Sequence, residues 1–113
     1  MSTLSFETDN SQSVSVMKVT GRVDSETALD LDAALSKLLN DNRNKIVLNL
    51  QAVEFLSSAG MRAMVKALKG AQKSGGDVRL AAVSQPIEVI LRTVGMMQMF
   101  KMYSTSEEAA AGF

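Results

Sequence analysis

The chain has 113 residues, 46% of them apolar, with 12 Lys and Arg balancing 12 Asp and Glu and with no cysteine or histidine. That size and composition predict a single globular domain, residues 1–113, with one real core. The neutral balance argues against nucleic acid or an anionic membrane as partner. The missing Cys and His remove disulfides, thiolate nucleophiles and the commonest general base and metal ligand.

Met1-Ser2-Thr3-Leu4 carries no basic segment followed by an apolar stretch, and no apolar run approaches ~18 residues. A cytoplasmic protein without signal peptide or membrane span is the expectation. Residues 3–8 read as a short strand, and 13–20 (SVSVMKVT), rich in Val and Thr, as a second that Gly21 breaks. Glu7 to Gln12 read as the turn between them. Asp24 and Ser25 offer N-cap side chains for a helix with Ala28, Leu31, Leu35, Leu38 and Leu39 at helical spacing, ended by Asn40-Asp41-Asn42. Residues 45–50 (KIVLNL) are almost continuously apolar, as in a strand covered on both faces. A second helix carries Met61, Met64, Val65 and Leu68 on one face and stops at Gly75-Gly76. Residues 77–83 form another strand. Ser84 then caps a short helix with Pro86 in its first turn and Ile87, Ile90, Leu91 and Val94 as its apolar residues, and Gly95 ends it. Residues 99–103 give a last strand, and Ser104 with Glu107 fits a capping box for a final helix.

This order of strands and helices predicts an α/β fold: one small mixed, largely parallel sheet packed against several helices. Sites in such folds lie beyond the C-terminal ends of the parallel strands. Asp24, Ser57-Ser58 and Ser84 each start a helix there, so three separate stretches are expected on one polar rim.

The stretch FLSSAGMRAM, residues 55–64, concentrates the question. Ser57 alone could cap the helix, and Gly60 could simply let helix and sheet pack closely. A serine hydrolase would need Gly-x-Ser-x-Gly and a base. Here the chain reads Leu-Ser-Ser-Ala-Gly and has no histidine. The glycines at 70, 75 and 76 match no phosphate-binding loop. Modification of one serine is the third reading. A phosphoserine at a helix N-terminus faces free N–H groups and the positive end of the dipole, yet adds about −1.5 to −2 charges to an exposed rim. That charge could expel a docked partner without unfolding the domain.

Residues 46–68 (IVLNLQAVEFLSSAGMRAMVKAL) resemble the signature of bacterial anti-sigma factor antagonists, the STAS domain: an apolar strand, an aromatic-apolar-(Asp or Ser)-Ser-small-Gly turn, and an apolar helix. Residues 19–35 (VTGRVDSETALDLDAAL) are similar to the Gly-x-x-Asp-x-x-x-Ala opening of that family's first helix. The resemblance implies a non-enzymatic binding module with no cofactor or metal of its own. It implies Ser58 as phospho-acceptor, with Asp24, Ser57 and Ser84 on the docking rim and Gly60 permitting close packing. The implied partners are an anti-sigma factor that is itself a serine kinase and binds the ATP, and a serine phosphatase that resets the cycle. The unphosphorylated chain binds the kinase and the phosphorylated chain lets go. Two departures bear on this. Ser57 stands where many members have Asp, which leaves open which serine is used. Asn49-Leu50-Gln51 replaces Asp-Leu-Ser, which implies altered partner choice. The alternative is an unmodified accessory subunit of a transporter ATPase or stress-signalling complex, whose serines only cap a helix.

Overall fold

The computed structural model describes residues 4–113, so residue 3 of the first expected strand lies outside the described residues. The strands are β1 (Leu4–Asp9), β2 (Ser15–Val23), β3 (Lys45–Leu56), β4 (Asp77–Ala81) and β5 (Met102–Tyr103). The helices are α1 (Thr27–Asn40), α2 (Ser58–Lys73), α3 (Gln85–Thr93) and α4 (Ser106–Ala111). β1 and β2 form an antiparallel pair, and β2 through β5 lie parallel, each beside the next in chain order. The mixed, largely parallel sheet expected from the element order is the one that forms.

Strand alternation sorts side chains onto two faces. On one face Met17, Val19, Ile46, Leu48, Val78 and Leu80 pack beneath α1, α2 and α3, which contribute Leu31, Leu35, Met64, Leu68, Ile87 and Leu91. On the other, Val14, Val47, Ala81 and Ala109 form a thinner cluster joined by Tyr103 and Phe113. β3 is buried from both sides, which is why its first half reads as a continuous apolar run.

Arg79 lies in the thinner layer with 8% of its side chain exposed. Its Nε pairs with Asp77 at 3.3 Å, and Nη1 donates to the Ala109 carbonyl at 3.3 Å. Its guanidinium sits 3.9 Å over the Phe113 ring. A buried cation is tolerable only when so surrounded, and the arrangement fastens α4 to the sheet.

Several boundaries differ from the sequence expectation. Gly21 does not break β2. It adopts φ 118° beside register shifts against β3, so it serves a bulge and the strand continues to Val23. That bulged extension pairs with Ala52 to Leu56, which carries β3 six residues past Leu50 although its apolarity fades there. β4 stops at Ala81, not Val83, because Ala82 turns the chain with φ 53°. β5 keeps only two of the five expected residues. Met96 and Phe100 instead dip into the core, and Met99 stays exposed. The final cap is shifted by one: Thr105 Oγ1, not Ser104, accepts from the Glu108 N–H at 3.1 Å. The segment Thr105-Ser106-Glu107-Glu108 offers the same capping spacing one residue later.

At the opposite end of the sheet from the serines, α2 returns into β4 through Gly75 and Gly76. Gly76 passes directly against Asn44. Its N–H bonds the Ala71 carbonyl at 2.7 Å, and the Asn44 carbonyl accepts from Asp77 N at 2.9 Å.

Candidate functional site

β2 and β3 end together. Val23 pairs with Leu56, and the Ser57 N–H donates to the Val23 carbonyl at 2.7 Å. Asp24 and Ser57, the next residue on each strand, therefore begin adjacent helices side by side. Ser84 stands on a different level: β4 ends opposite Asn49, well before the end of β3. The structure thus joins two of the three expected stretches at one end of β2 and β3. Ser84 occupies the N-cap of α3, but its side chain makes no capping bond.

Asp24 caps the entry to α1 from three residues before its first turn. Its Oδ1 accepts from the N–H groups of Glu26 and Thr27, both at 2.9 Å. The Thr27 hydroxyl in turn accepts from Asp24 N at 2.8 Å and donates to the Arg22 carbonyl at 2.7 Å. The capping group is the Asp24 carboxylate, not the Ser25 hydroxyl. The Thr27 N–H bond foremost holds the Asp24 carboxyl below its ordinary value, against an opposing effect of burial; the Glu26 bond and the Arg22 charge lower it further. A depressed folded-state pKa favours the fold above the unfolded value, and that contribution is lost as pH falls through the folded one. Asp24→Ala is therefore expected to lower the urea midpoint at neutral pH. The difference from wild type should shrink as pH drops below about 4. A midpoint difference that stays constant down to strong acid would rule this out.

The two serines do different jobs. Ser57 is the N-cap of α2, with extended backbone (φ −80°, ψ 166°), and its Oγ accepts from the Gly60 N–H at 3.1 Å. Ser58 is the first helical residue. It is exposed, and its hydroxyl holds no hydrogen bond among the described residues. Ser57→Ala should cost about 1 kcal/mol by denaturant unfolding, as cap deletions do. Ser58→Ala should cost well under half of that, and equal losses would refute this division of roles.

Gly60 is buried at the point where α2 meets the sheet. A Cβ there would run into Val23 Cγ1 and come within 2.9 Å of Leu56 Cδ1. Gly60→Ala is expected to lose about 1–3 kcal/mol, since the obstructing side chains must shift. An unfolding midpoint unchanged from wild type would show that they yield freely.

The ground beside the serines is apolar and basic. Phe55 is 36% exposed, with the Arg22 guanidinium 4.9 Å over its ring. Leu29 on α1 is 72% exposed and lines a small hollow with Ala28 and Ala59. A larger groove of about 580 Å³ opens on the other side of Ser58, between α2 and the end of α3. Sequence reasoning passed over Phe55 and Leu29. An aromatic at a solvent-facing strand position and a leucine off the apolar stripe of α1 were the available signals. Asn49 is not on this surface. Its Nδ2 donates to Ser106 Oγ at 2.8 Å and its Oδ1 accepts from Gln51 N, so it anchors α4 beneath the sheet. Among the described residues no group of carboxylates could hold a metal ion. No helix among them is long and apolar enough to cross a membrane.

The fold and this surface define a small mixed-sheet α/β domain that displays an exposed serine hydroxyl on the first turn of a helix, beside an apolar and basic groove. The chain belongs to the STAS domain family, whose pattern spans residues 5–109. It is 30% identical over 105 residues to the anti-sigma-F factor antagonist RsfB of Mycobacterium tuberculosis, covering 88% of this chain and 80% of that one. Its fold matches the crystal structure of an anti-sigma factor antagonist from Mycobacterium paratuberculosis with a TM-score of 0.85 at 25% identity, covering 96% and 92% of the two chains. SpoIIAA, the Bacillus cell fate determinant, shares the fold at 17–18% identity, with TM-scores of 0.81 for its unphosphorylated and 0.73 for its phosphorylated form; each comparison covers 96% of this chain and 98% of that one.

Proposed function

We propose that this chain is an anti-sigma factor antagonist whose binding is switched by phosphorylation of Ser58. The observation that carries the reading is the division between the serines. Ser57 Oγ is committed to the α2 cap, while the Ser58 hydroxyl one residue into the helix is exposed and holds no hydrogen bond among the described residues. The partner is an anti-sigma factor that brings its own ATP and acts as the serine kinase, and a phosphatase returns the chain to its binding form. Asp24, Ser57 and Ser58 make the centre of the docking rim, Gly60 seats α2 against the sheet beneath it, and Ser84 lies to one side.

The physics favours a switch that leaves the fold intact. A phosphate on Ser58 meets the unpaired N–H groups and positive dipole end of α2, so the folded state accommodates it. The same charge, one residue beyond Ser57 where β2 and β3 end together, changes what a docked partner meets. SpoIIAA, a fold neighbour, is known in phosphorylated and unphosphorylated forms. Phosphosite mass spectrometry of the protein from its own cells, with and without stress, tests the reading. Phosphate on Ser58 that varies with conditions is the expected result. A chain unmodified under every condition would overturn it and leave the serines as a helix cap.

A further inference from the structure

The helix that starts at Ser58 is electrically one-sided. Over its 16 residues α2 carries Arg62, Lys66, Lys69 and Lys73 and no carboxylate, in a chain whose charges balance overall. Three of these cations, Arg62, Lys66 and Lys69, line the groove of about 580 Å³ beside Ser58. Its floor is Met61 and Val65 of α2 facing Val94 and Met96 beyond α3, and no acidic residue lines it. Val94 is half exposed, and Lys66 is also within 3.2 Å of Asp32 on α1, so the rim already holds one carboxylate in place.

We propose that this groove seats a segment of the partner in which apolar side chains are flanked by Asp or Glu. The apolar side chains fill the Met61–Val65–Val94–Met96 floor, and the acidic flanks meet Arg62 and Lys69. Methionine-lined floors adapt to varied apolar shapes, whereas a cationic border selects charge sign. The inference rests on the reading of Ser58 as the switch and adds how that switch acts. Arg62 is four residues after Ser58 on the same helix and lines the same groove, the favoured spacing and direction for an anion–cation pair. A phosphate on Ser58 takes up Arg62 and so competes with the partner's carboxylates for the border of the groove.

The test uses the full chain in its own cells, with the photocrosslinker p-benzoylphenylalanine placed either at Val94 in the groove or at Phe55 outside it. Crosslinked peptides are sequenced by mass spectrometry. The expected Val94 adduct is a peptide of a second protein with apolar residues flanked by Asp or Glu. Arg62→Glu combined with Lys69→Glu should then weaken the purified partner's affinity at least about tenfold. Lys73→Glu, on the same helix but outside the groove, should change it less than about twofold. A Val94 adduct to a basic or uncharged peptide, or to another copy of this chain, overturns the inference. An adduct from Phe55 that disappears in Ser58→Glu, with none from Val94, overturns the groove and leaves the switch standing. The absence of adducts from both positions overturns both.

Discussion

Ser58→Glu is expected to weaken binding of the anti-sigma factor at least about a hundredfold, because a like charge placed in an interface costs several kcal/mol. Ser58→Ala should bind as the unmodified chain does and resist release when ATP is supplied. Both variants should unfold within about 0.5 kcal/mol of wild type, the usual range for a surface substitution that touches no special feature. The reason is local. The Ser58 side chain is exposed and makes no hydrogen bond among the described residues, while the cap belongs to Ser57. Glutamate on the first turn of α2 also meets the positive end of the helix dipole, a small gain for the fold. Titration calorimetry with the partner, set beside thermal melts of the three proteins, separates the two quantities. Equal affinity of wild type, alanine and glutamate forms would end the switch hypothesis. A glutamate form that loses binding only because it unfolds would show Ser58 to be structural.

Gly76→Ala is expected to be the more damaging of the two glycine substitutions, at about 3 kcal/mol or more. A Cβ at Gly76 would collide with the Asn44 carbonyl oxygen and lie 2.6 Å from its carbon. At Gly60 the obstacles are side chains; at Gly76 the obstacle is backbone. That backbone is pinned: the Asn44 carbonyl accepts from Asp77 N, and Asn44 Nδ2 donates to the Ser74 carbonyl at 2.7 Å. Relief would require separating the start of β3 from the turn that feeds β4, two neighbouring central strands. Urea unfolding of Gly76→Ala against Gly60→Ala measures the contrast, and a smaller loss at Gly76 would mean that this turn moves as a unit. The change lies at the other end of the sheet from Ser58, so any surviving folded fraction should keep wild-type partner affinity.

Much of this was legible in the chain. Helical spacing of Leu31, Leu35 and Leu38, and the apolar run through Ile46 to Leu48, identify α1 and β3 because burial on one stripe or on both faces leaves a periodic mark. What escaped was set by partners distant in sequence. The second half of β3 exists because bulged β2 pairs with it, and Gln51, Ala52 and Glu54 carry no strand pattern of their own. Thr105 and Ser104 are equally plausible caps from spacing, and packing of Ala109 against Val47 and Ala81 accompanies the choice. At the site, Asp24 and the serine pair were visible as helix starts. The step between Ser84 and Ser57 was not, since it depends on where Ala82 turns the chain. Asn49 looked like a change in partner preference and is an anchor for α4, a role that only its contact with Ser106 reveals.

The strand order has a consequence for how the molecule is made. The five strands lie side by side in the order in which they occur along the chain. Each strand lies on the edge left by the one before it in the chain, and none sits between two that precede it. A chain leaving the ribosome from its N-terminus can lay down this sheet as a growing front, with β1 and β2 offering the first edge before β3 is synthesised. β2 and β3, whose ends carry the ledge of Ser57 and Ser58, both leave the ribosome before the last strand and helix.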